Sequence, residues 1–266
     1  MSIGIAGPVK GNTVKITNAH WPEFDIKEVE KELGFDALYV LNDFEANGYG
    51  ILKMTREMYT EVTKIPAVPG APKILIGTGT GLGEAIVTKG TTDDDYIVFP
   101  GEGGHSDFAP RDEIEFGFML YVKKKLKLDR VSYERCCCGL AIPLMFDYLN
   151  EIMKKDIKVE SKVYNDIRER LMKLLDLLEN SPSDESINER IKELDKEIFN
   201  AGISKEDKVC ERTVDMFASL YGAETGNMAL KVLPYGGIYL LSSVTLAMKD
   251  HIINEKTFLV ILKMLW

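Results

Sequence analysis

The alternating glycines of Gly77-Thr-Gly-Thr-Gly-Leu-Gly83 constrain the fold of this 266-residue chain more than any other feature. Strand-like patterns precede them at Lys73–Ile76 and follow them at Glu84–Thr88, so we predict a glycine-rich hairpin. The spacing differs from G-x-G-x-x-G, and no Gly-Lys-Ser/Thr follows as in a Walker A loop. Rossmann, protein-kinase and P-loop folds are therefore not indicated.

Glycines that alternate with threonines leave backbone N–H groups and hydroxyls free to approach an anion closely. This composition favours a phosphate site, but it is equally typical of a flexible turn. The pattern alone leaves both interpretations open. The candidate phosphate-binding residues are Gly77, Thr78, Gly79, Thr80 and Gly81.

The order of strand and helix signals predicts an α/β protein with two lobes. Strands and helices alternate in the first third, and from Asp112 onwards helical periodicity dominates. The segment from Tyr133 to Met153 is predicted to be helical. Two further helical patterns, around 167–178 and 187–198, are separated by Ser181-Pro-Ser183 and predict a charged helical hairpin without chemistry of its own.

Composition excludes several classes of protein. Lys and Arg number 33 against 42 Asp and Glu, a net charge of −9, which gives no general attraction for nucleic acid or anionic lipid. No apolar stretch is long enough to span a bilayer, and the start does not resemble a signal peptide. The adjacent Cys136, Cys137 and Cys138 suit buried apolar positions better than disulfides or zinc. We therefore expect a soluble, cytoplasmic, globular protein without a metal site of its own.

Asn42 and Asp43 follow a predicted buried strand, Leu38–Leu41. Side chains at the carboxyl end of such a strand often face a ligand, and an aspartate there can accept a proton from a substrate hydroxyl. A structural role is the alternative, in which this pair caps the helix that starts at Phe44.

Glu102 and His105 lie among the glycines of Pro100-Gly-Glu-Gly-Gly-His105, and Glu134 begins a predicted helix. Carboxylates and an imidazole suit a polyol, since each hydroxyl both donates and accepts hydrogen bonds. Each residue alone is equally explained as a surface charge or a structural hydrogen-bonding group.

Taken together, the segments resemble bacterial-type glucokinases, which also occur in cyanobacteria and some protists. The motifs follow the family order and cover nearly the whole chain except the hairpin near 155–205. They are Asn18-Ala-His-Trp21, Leu41-Asn-Asp-Phe44, Gly77–Gly83, Pro100-Gly-Glu-Gly-Gly-His-Ser-Asp-Phe-Ala-Pro110, Val131-Ser-Tyr-Glu-Arg135 and Gly222-Ala-Glu-Thr-Gly-Asn-Met-Ala-Leu230.

The resemblance implies a two-lobed actin-like ATPase (ribonuclease H-like) fold and transfer of the γ-phosphoryl group of ATP, with Mg²⁺, to the 6-hydroxyl of glucose. It assigns Asp43 as the general base. We expect the sugar-binding groups to converge on one hexose. The implied sugar-binding residues are Asn18, Asn42, Glu102, His105 and Glu134, and the implied nucleotide-binding residues are Gly77, Thr78, Gly79, Thr80, Gly81, Gly222, Gly226, Asn227 and Gly237.

Two departures from the family pattern affect these expectations. The Asp-x-Gly-Gly-Thr loop with which the family begins is absent, and Leu241-Ser-Ser243 replaces the usual Ala-Gly-Gly. We therefore expect residues 1–54 to be the remnant of a small α/β domain. Residues 55–266 are expected to form a large α/β domain with a helical insertion near 155–205 and a shortened C-terminus.

Two functions remain open at this stage. The first is a glucokinase, active or impaired. The second is an inactive glucokinase-like fragment that binds sugar or a partner chain. A truncated sheet also predicts a homodimer or other self-association.

Overall fold

The computed structural model describes residues 1–7, 9–16, 21–92, 95–153, 162–181, 184, 186–254 and 258. The strands are β1 (Ser2–Ile5), β2 (Val9–Lys10), β3 (Thr13–Val14), β4 (Phe24–Asp25), β5 (Tyr39–Asn42), β6 (Lys73–Thr78), β7 (Leu82–Lys89), β8 (Tyr96–Gly101) and β9 (Gly237–Leu241). The helices are α1 (Ile26–Leu33), α2 (Asp43–Ile51), α3 (Glu113–Lys125), α4 (Tyr133–Cys136), α5 (Ala141–Met153), α6 (Lys162–Asn180), α7 (Ile187–Ile203), α8 (Lys208–Val232), α9 (Ser243–Ala247) and α10 (Lys249–Asn254), with 3-10 turns at Arg56–Met58 and Gly103–His105. The predicted α/β class is confirmed.

The chain divides into two compact units. The first comprises Met1–Leu75, Glu84–Gly101 and Val232–Tyr239, and the second comprises Ile76–Gly83, Glu102–Lys231 and Leu240–Trp266. A four-stranded sheet has the order β8-β7-β6-β9. The division predicted from sequence, residues 1–54 and 55–266, stays a prediction about domains.

In the first unit, β1 and β5 form a parallel pair in which Ser2 is opposite Tyr39 and Ile5 is opposite Asn42. Strands β2, β3 and β4 form a separate antiparallel sheet. Helix α1 begins where Asp25 caps it: Asp25 Oδ1 accepts hydrogen bonds from the backbone N–H groups of Lys27 and Glu28. The cluster of buried residues that these elements enclose is Val14, Ile26, Leu38 and Val40.

Helix α2 packs on β8 within the same unit. Strands β7 and β8 run antiparallel from Glu84 opposite Gly101 to Lys89 opposite Tyr96. Gly48 lies where α2 meets β8, and an added Cβ would overlap Cγ1 of Val98. Glycine is therefore required for the close approach of this helix to this strand.

The second unit is mainly helical. Most of α5 is buried, and the 25-residue α8 is buried along most of its length. The Tyr221 hydroxyl of α8 donates a hydrogen bond to the carbonyl oxygen of Ile76 (3.0 Å), which fixes α8 to β6. Helices α6 and α7 pack against each other, which confirms the predicted hairpin.

One predicted element is wrong. The segment from Tyr133 to Met153 was expected to be helical, but α4 ends at Cys136 and α5 begins at Ala141. The backbone between them bonds elsewhere: the N–H of Gly139 donates to the carbonyl oxygen of Gly79 (2.7 Å), and the carbonyl oxygen of Cys137 accepts from the Thr78 hydroxyl (3.0 Å). These long-range bonds replace helical ones.

None of the helices in the described part of the chain has both the length and the apolar composition needed to cross a bilayer.

Candidate functional site

In the first unit, Asn42 and Asp43 lie where β5 passes directly into α2. Asn42 Oδ1 accepts hydrogen bonds from the backbone N–H groups of Phe44 (2.9 Å) and Glu45 (3.2 Å), so Asn42 caps the helix. Its Nδ2 donates to the carbonyl oxygen of Gly7 at 3.5 Å. The structural alternative considered for this pair is thus correct for Asn42, whose amide is held at the end of a parallel strand pair.

Asp43 is the first residue of α2 and is half-buried. Its Oδ1 also accepts from the N–H of Phe44, at 3.0 Å. The positive end of the helix dipole stabilises the negative charge of a carboxylate in this position. The Asp43 side chain is therefore held in a defined orientation through Oδ1, and Oδ2 accepts none of the hydrogen bonds that the structure gives this residue.

In the second unit, Glu134 is anchored to the glycine segment. Its Oε2 accepts a hydrogen bond from the N–H of Leu82 at 2.9 Å. An added Cβ on Gly81 would overlap the same oxygen, so a side chain there would displace the Glu134 carboxylate from this position. The Glu134 side chain is only 17% exposed. The absent side chain of Gly81 therefore makes room for a buried carboxylate 53 positions away.

His105 lies between two carboxylates. Its Nε2 is 3.6 Å from Glu102 Oε2, and its Nδ1 is 3.8 Å from Glu134 Oε1. Both distances exceed those of direct hydrogen bonds, so these groups are neighbours rather than a closed network. We call Glu102, His105 and Glu134 the acidic–imidazole cluster. The sequence predicted that these three groups converge with Asn42 and Asp43 on one hexose. The structure places the three beside one another, and their convergence with Asn42 and Asp43 stays a prediction.

A second glycine brings the acidic–imidazole cluster to β7. An added Cβ on Gly104 would overlap the carbonyl oxygen of Leu82, so only glycine allows this approach. Arg130 supports the turn from outside, since its Nη1 donates to the carbonyl oxygen of His105 (2.8 Å) and to Asp107 Oδ1 (2.9 Å). The cluster is thus held by backbone and guanidinium contacts.

The glycine segment itself forms a tight turn between β6 and β7. The N–H of Gly79 donates to the carbonyl oxygen of Gly81 at 2.8 Å. No described atom lies within 4 Å of the place where a Gly79 side chain would be, and Thr80 is exposed. The tip of the turn is therefore open to an approaching anion, whereas Thr78 is buried and bonded to Cys137.

The residues predicted to face the nucleotide are divided between the two units. Gly222, Gly226 and Asn227 lie on α8 in the second unit, where Asn227 Nδ2 donates to Glu224 Oε2 (2.9 Å). A Cβ on Gly222 would come within 2.7 Å of the carbonyl oxygen of Phe258. Gly237 belongs to the first unit and has φ of 126°, a conformation that favours glycine.

Ser242, one of the departures noted in the sequence, is strained and bonded. Its φ is 106°, in the region that favours glycine, yet it carries a side chain. The hydroxyl donates to the carbonyl oxygen of Thr78 and accepts from the N–H of Thr245 (3.3 Å). Thr245 in turn bonds the Tyr221 hydroxyl (3.1 Å). Ser242 therefore ties the turn after β9 to the end of β6.

Sequence analysis missed Asp195, which lies on α7 in the hairpin to which it assigned no chemistry. The residue is 7% exposed, its Oδ1 has no hydrogen-bond partner, and Oδ2 is 3.1 Å from the place of a Cβ on Gly139. Burial raises the pKa of this carboxyl group to about 8. A signal was present, because Asp195 is four residues from Ile191 and three from Ile198, on the apolar face of α7.

Two other predictions concern side chains that make none of the contacts described above. Cys136, Cys137 and Cys138 are buried free thiols, as predicted, and burial raises the pKa of Cys138 to about 12. Asn18, expected beside the sugar, lies outside the described residues.

Sequence comparisons show that this chain is similar to glucokinases. A family model described as "Glucokinase" matches residues 1–260. The glucokinase of Nostoc punctiforme is 36% identical over 240 residues, which are 90% of this chain and 66% of that protein. The chain thus spans slightly less than two thirds of the length of this relative.

Solved structures of sugar kinases have similar folds. Glucokinase from an Antarctic psychrotroph superposes with a TM-score of 0.70 at 21% identity, covering 98% of this chain and 69% of that one. Glucokinase from Balamuthia mandrillaris, solved in complex with glucose, superposes with a TM-score of 0.69 at 15% identity. The match covers 98% of this chain and 68% of that one. A ROK family glucokinase from Streptomyces griseus, in complex with glucose and AMPPNP, superposes with a TM-score of 0.54 at 21% identity. The match covers 97% of this chain and 70% of that one.

Proposed function

Because this chain belongs to the glucokinase family and has the predicted actin-like ATPase fold of its structural neighbours, we propose that it transfers the γ-phosphoryl group of ATP to the 6-hydroxyl of glucose. The product would be glucose 6-phosphate. The proposed location is the cytoplasm, where ATP and hexoses meet.

The acidic–imidazole cluster is the observation that carries this proposal. Two carboxylates, each within 4 Å of the same imidazole, offer with it the acceptors and the donor that vicinal hydroxyls require. Glu134 is held by the N–H of Leu82, so one of its oxygens is fixed while the other faces His105. Pre-positioned groups of this kind bind a rigid sugar ring at low entropic cost.

The glycine turn beside the cluster supports the phosphate part of the proposal. Leu82, whose N–H binds Glu134, is separated from the open tip at Gly79 and Thr80 by Gly81 alone. The backbone of one turn thus connects a candidate sugar-binding carboxylate to a candidate phosphate-binding tip. Phosphoryl transfer depends mainly on such positioning.

Asp43 is the proposed general base. Its carboxylate would accept the proton of the attacking 6-hydroxyl as the new O–P bond forms and the bond to the ADP leaving group breaks. The helix N-terminus orients this side chain through the N–H of Phe44, which suits the role. Asn42 would donate a hydrogen bond to a sugar hydroxyl through Nδ2.

Mg²⁺ would arrive with the nucleotide. No group of three His, Cys, Asp or Glu side chains converges on a metal site in the part of the chain that the structure describes. An ion that comes with the nucleotide is held largely by phosphate oxygens and water. Bound there, Mg²⁺ would neutralise phosphate charge, while the residues of this chain position the substrates.

Ser242 favours a second candidate function, a sugar-binding protein without phosphotransferase activity. Its hydroxyl bonds Thr78 in a turn that the family builds with glycine, and the sequence predicts that added side chains there crowd the adenosine. In that case glucose would bind and ATP would not.

A coupled assay with ATP, Mg²⁺ and glucose, together with calorimetry of each ligand, distinguishes the two candidates. The proposed kinase gives glucose-dependent turnover, and Asp43→Asn lowers kcat about 10²- to 10⁴-fold while glucose still binds. Glu45→Gln in the same helix turn serves as the control. Glucose binding without turnover would support the second candidate, and undiminished kcat in Asp43→Asn would refute the assignment of the base.

A further inference from the structure

Asp195 on α7 is a buried ionisable side chain that the proposed mechanism leaves unused. It is 7% exposed, and its Oδ1 accepts no hydrogen bond from the residues that the structure describes. Burying a carboxyl group without a partner costs free energy that an apolar side chain would avoid. The contacts of its other oxygen, Oδ2, show what this residue can do.

Asp195 lies against Gly139, in the segment between α4 and α5. Its Oδ2 is 3.1 Å from the place where a Gly139 Cβ would be, and Ile191 Cγ2, one helical turn earlier on α7, is 3.5 Å from the same place. The carbonyl oxygen of Gly79 is also 3.1 Å from that place. Two oxygen atoms, one from α7 and one from the glycine turn, therefore flank the space that the missing Gly139 side chain leaves.

Gly139 connects this carboxyl group to the glycine turn. Its N–H donates to the carbonyl oxygen of Gly79 at 2.7 Å, and the N–H of Gly79 donates to the carbonyl oxygen of Gly81 at 2.8 Å. The proposed phosphate-binding tip consists of Gly79 and Thr80. The position of Gly139 therefore affects the orientation of the backbone groups at this tip.

We propose that Asp195 is a positioning residue for the glycine turn, and that its ionisation displaces Gly139 and lowers the affinity of the turn for the phosphates of ATP. The proposal rests on the proposed function, which gives the turn its phosphate ligand. A neutral carboxyl group can lie beside the carbonyl oxygen of Gly79. An ionised group would add a full negative charge beside that oxygen in a buried place, so it moves towards water and no longer supports Gly139.

The charged groups between α6 and α7 have partners of their own. Arg170 on α6 donates hydrogen bonds to Glu193 and Glu197 of α7. These two glutamates lie two positions before and two positions after Asp195, and so on the other side of the helix. Arg170 therefore does not neutralise Asp195.

The ionisable groups on the other neighbouring segments are also engaged or neutral. On α5, which packs on α7, Asp147 accepts a hydrogen bond from the Tyr121 hydroxyl and lies 3.6 Å from Lys125 Nζ. Beside Gly139, burial raises the pKa of the Cys138 thiol to about 12, so this group stays neutral. Burial is accordingly the cause of the raised pKa of Asp195.

Enzyme kinetics over a range of pH test the effect on ATP. Burial raises the pKa of the Asp195 carboxyl group to about 8, so at pH 9 only about one folded chain in ten retains the proton. We expect the KM for ATP of the parent chain, divided by that of Asp195→Asn, to rise about 10-fold from pH 7 to pH 9. The amide does not titrate, and the division cancels the titration of ATP itself.

The KM for glucose should have the same pH dependence in both chains, because Glu134 is bound by Leu82 and not by Gly79. Asp176→Asn, at an exposed position on α6, is the matched control and should follow the parent chain. A KM ratio for ATP that stays within about twofold from pH 7 to pH 9 would overturn the proposal.

NMR of the whole chain, labelled with ¹³C-glycine, measures the same event without catalysis. The Cα signals of Gly79 and Gly139 should move with a midpoint near pH 8 in the parent chain and stay fixed in Asp195→Asn. Gly50 on α2, in the first unit, is the internal control. Fixed signals in the parent chain would contradict the displacement of Gly139, even if the chain is an active kinase.

A chain without turnover separates the two proposals. If the signals move in such a chain, the proposed function fails while the role of Asp195 in the turn stands. Calorimetry with inorganic triphosphate at pH 9 then tests the link to phosphate. Tighter binding by Asp195→Asn than by the parent chain supports this link, and equal binding by the two chains would refute it.

Discussion

Gly81 lacks a side chain where the carboxylate of Glu134 occupies the space, and the neighbouring Leu82 binds the same oxygen. Glycine in a turn usually supplies a positive φ, but none of the glycines from 77 to 83 has one. Gly81 therefore matters for the space that its missing side chain leaves, and not for its backbone conformation. The orientation of Glu134 therefore depends on Gly81 as much as on α4.

Gly81→Ala is expected to weaken glucose binding at least about 10-fold, because the new Cβ displaces the Glu134 carboxylate. Calorimetry with glucose measures this effect. Gly79→Ala is the matched control, as no described atom lies within 4 Å of its added Cβ. Equal affinity in both variants would show that Glu134 is not a sugar ligand.

Asp195 links stability to pH. Burial raises the pKa of its carboxyl group to about 8 from an ordinary value of 3.8. Between these values the folded chain retains a proton that the unfolded chain has lost. Stability therefore falls as pH rises from about 4 to 8, by up to roughly 1.4 kcal/mol per pH unit from this group.

Asp195→Asn should remove that contribution, since the amide does not titrate. In urea unfolding, the free energy of unfolding of the variant should fall less steeply between pH 4 and 8 than that of the parent chain. Asp176→Asn, an exposed position on α6, should leave the slope unchanged. Parallel slopes for the parent and Asp195→Asn would mean that the carboxyl group is ionised throughout.

At the level of elements, local sequence signals determine where most helices and strands begin and end. Contacts between residues far apart in the chain determine the other boundaries. Helix α1 begins after its N-cap Asp25 and ends at Gly34, whose φ is 69°. The break between α4 and α5 was not predicted, because the bonds of Cys137 and Gly139 go to residues about 60 positions away. Gly139 and Pro143 were local hints, since proline is tolerated in the first turn of a helix but not in its interior.

The packing of α2 on β8 gives a prediction about one helix. Gly48→Ala should destabilise the chain by about 1–3 kcal/mol, because its Cβ would overlap Val98. Gly50→Ala in the same helix has no described atom within 4 Å of the new Cβ and should stabilise by about 0.4–1 kcal/mol. Chemical denaturation of both variants measures the difference, and equal shifts would show that α2 does not press on β8.

At the scale of the whole molecule, the two compact units assemble segments that are distant in the chain. The first unit takes Glu84–Gly101 and Val232–Tyr239 from the later sequence. Composition and periodicity carry no information about which distant segments pack together. The sequence therefore predicted the types of secondary-structure element but not the division of the chain into these two units.

Ligand binding offers a test on the intact chain. If glucose binds only the folded state, glucose at 100 times its dissociation constant should add about 2.7 kcal/mol to stability and raise the melting temperature. Galactose at the same concentration is the control for nonspecific sugar effects. No shift with glucose at any concentration would remove the acidic–imidazole cluster as a hexose site.

The sequence by itself determined the α/β class, most strands and helices, and the family, because periodicity, caps and ordered motifs are local. It also named Glu102, His105 and Glu134. Only the tertiary structure decided that Leu82 and Gly81 fix Glu134, and that Phe116 and Leu120 remain exposed. It also decided that Oδ1 of the buried Asp195 has no hydrogen-bond partner among the described residues. These properties depend on contacts between residues far apart in the chain, and no local pattern encodes such contacts.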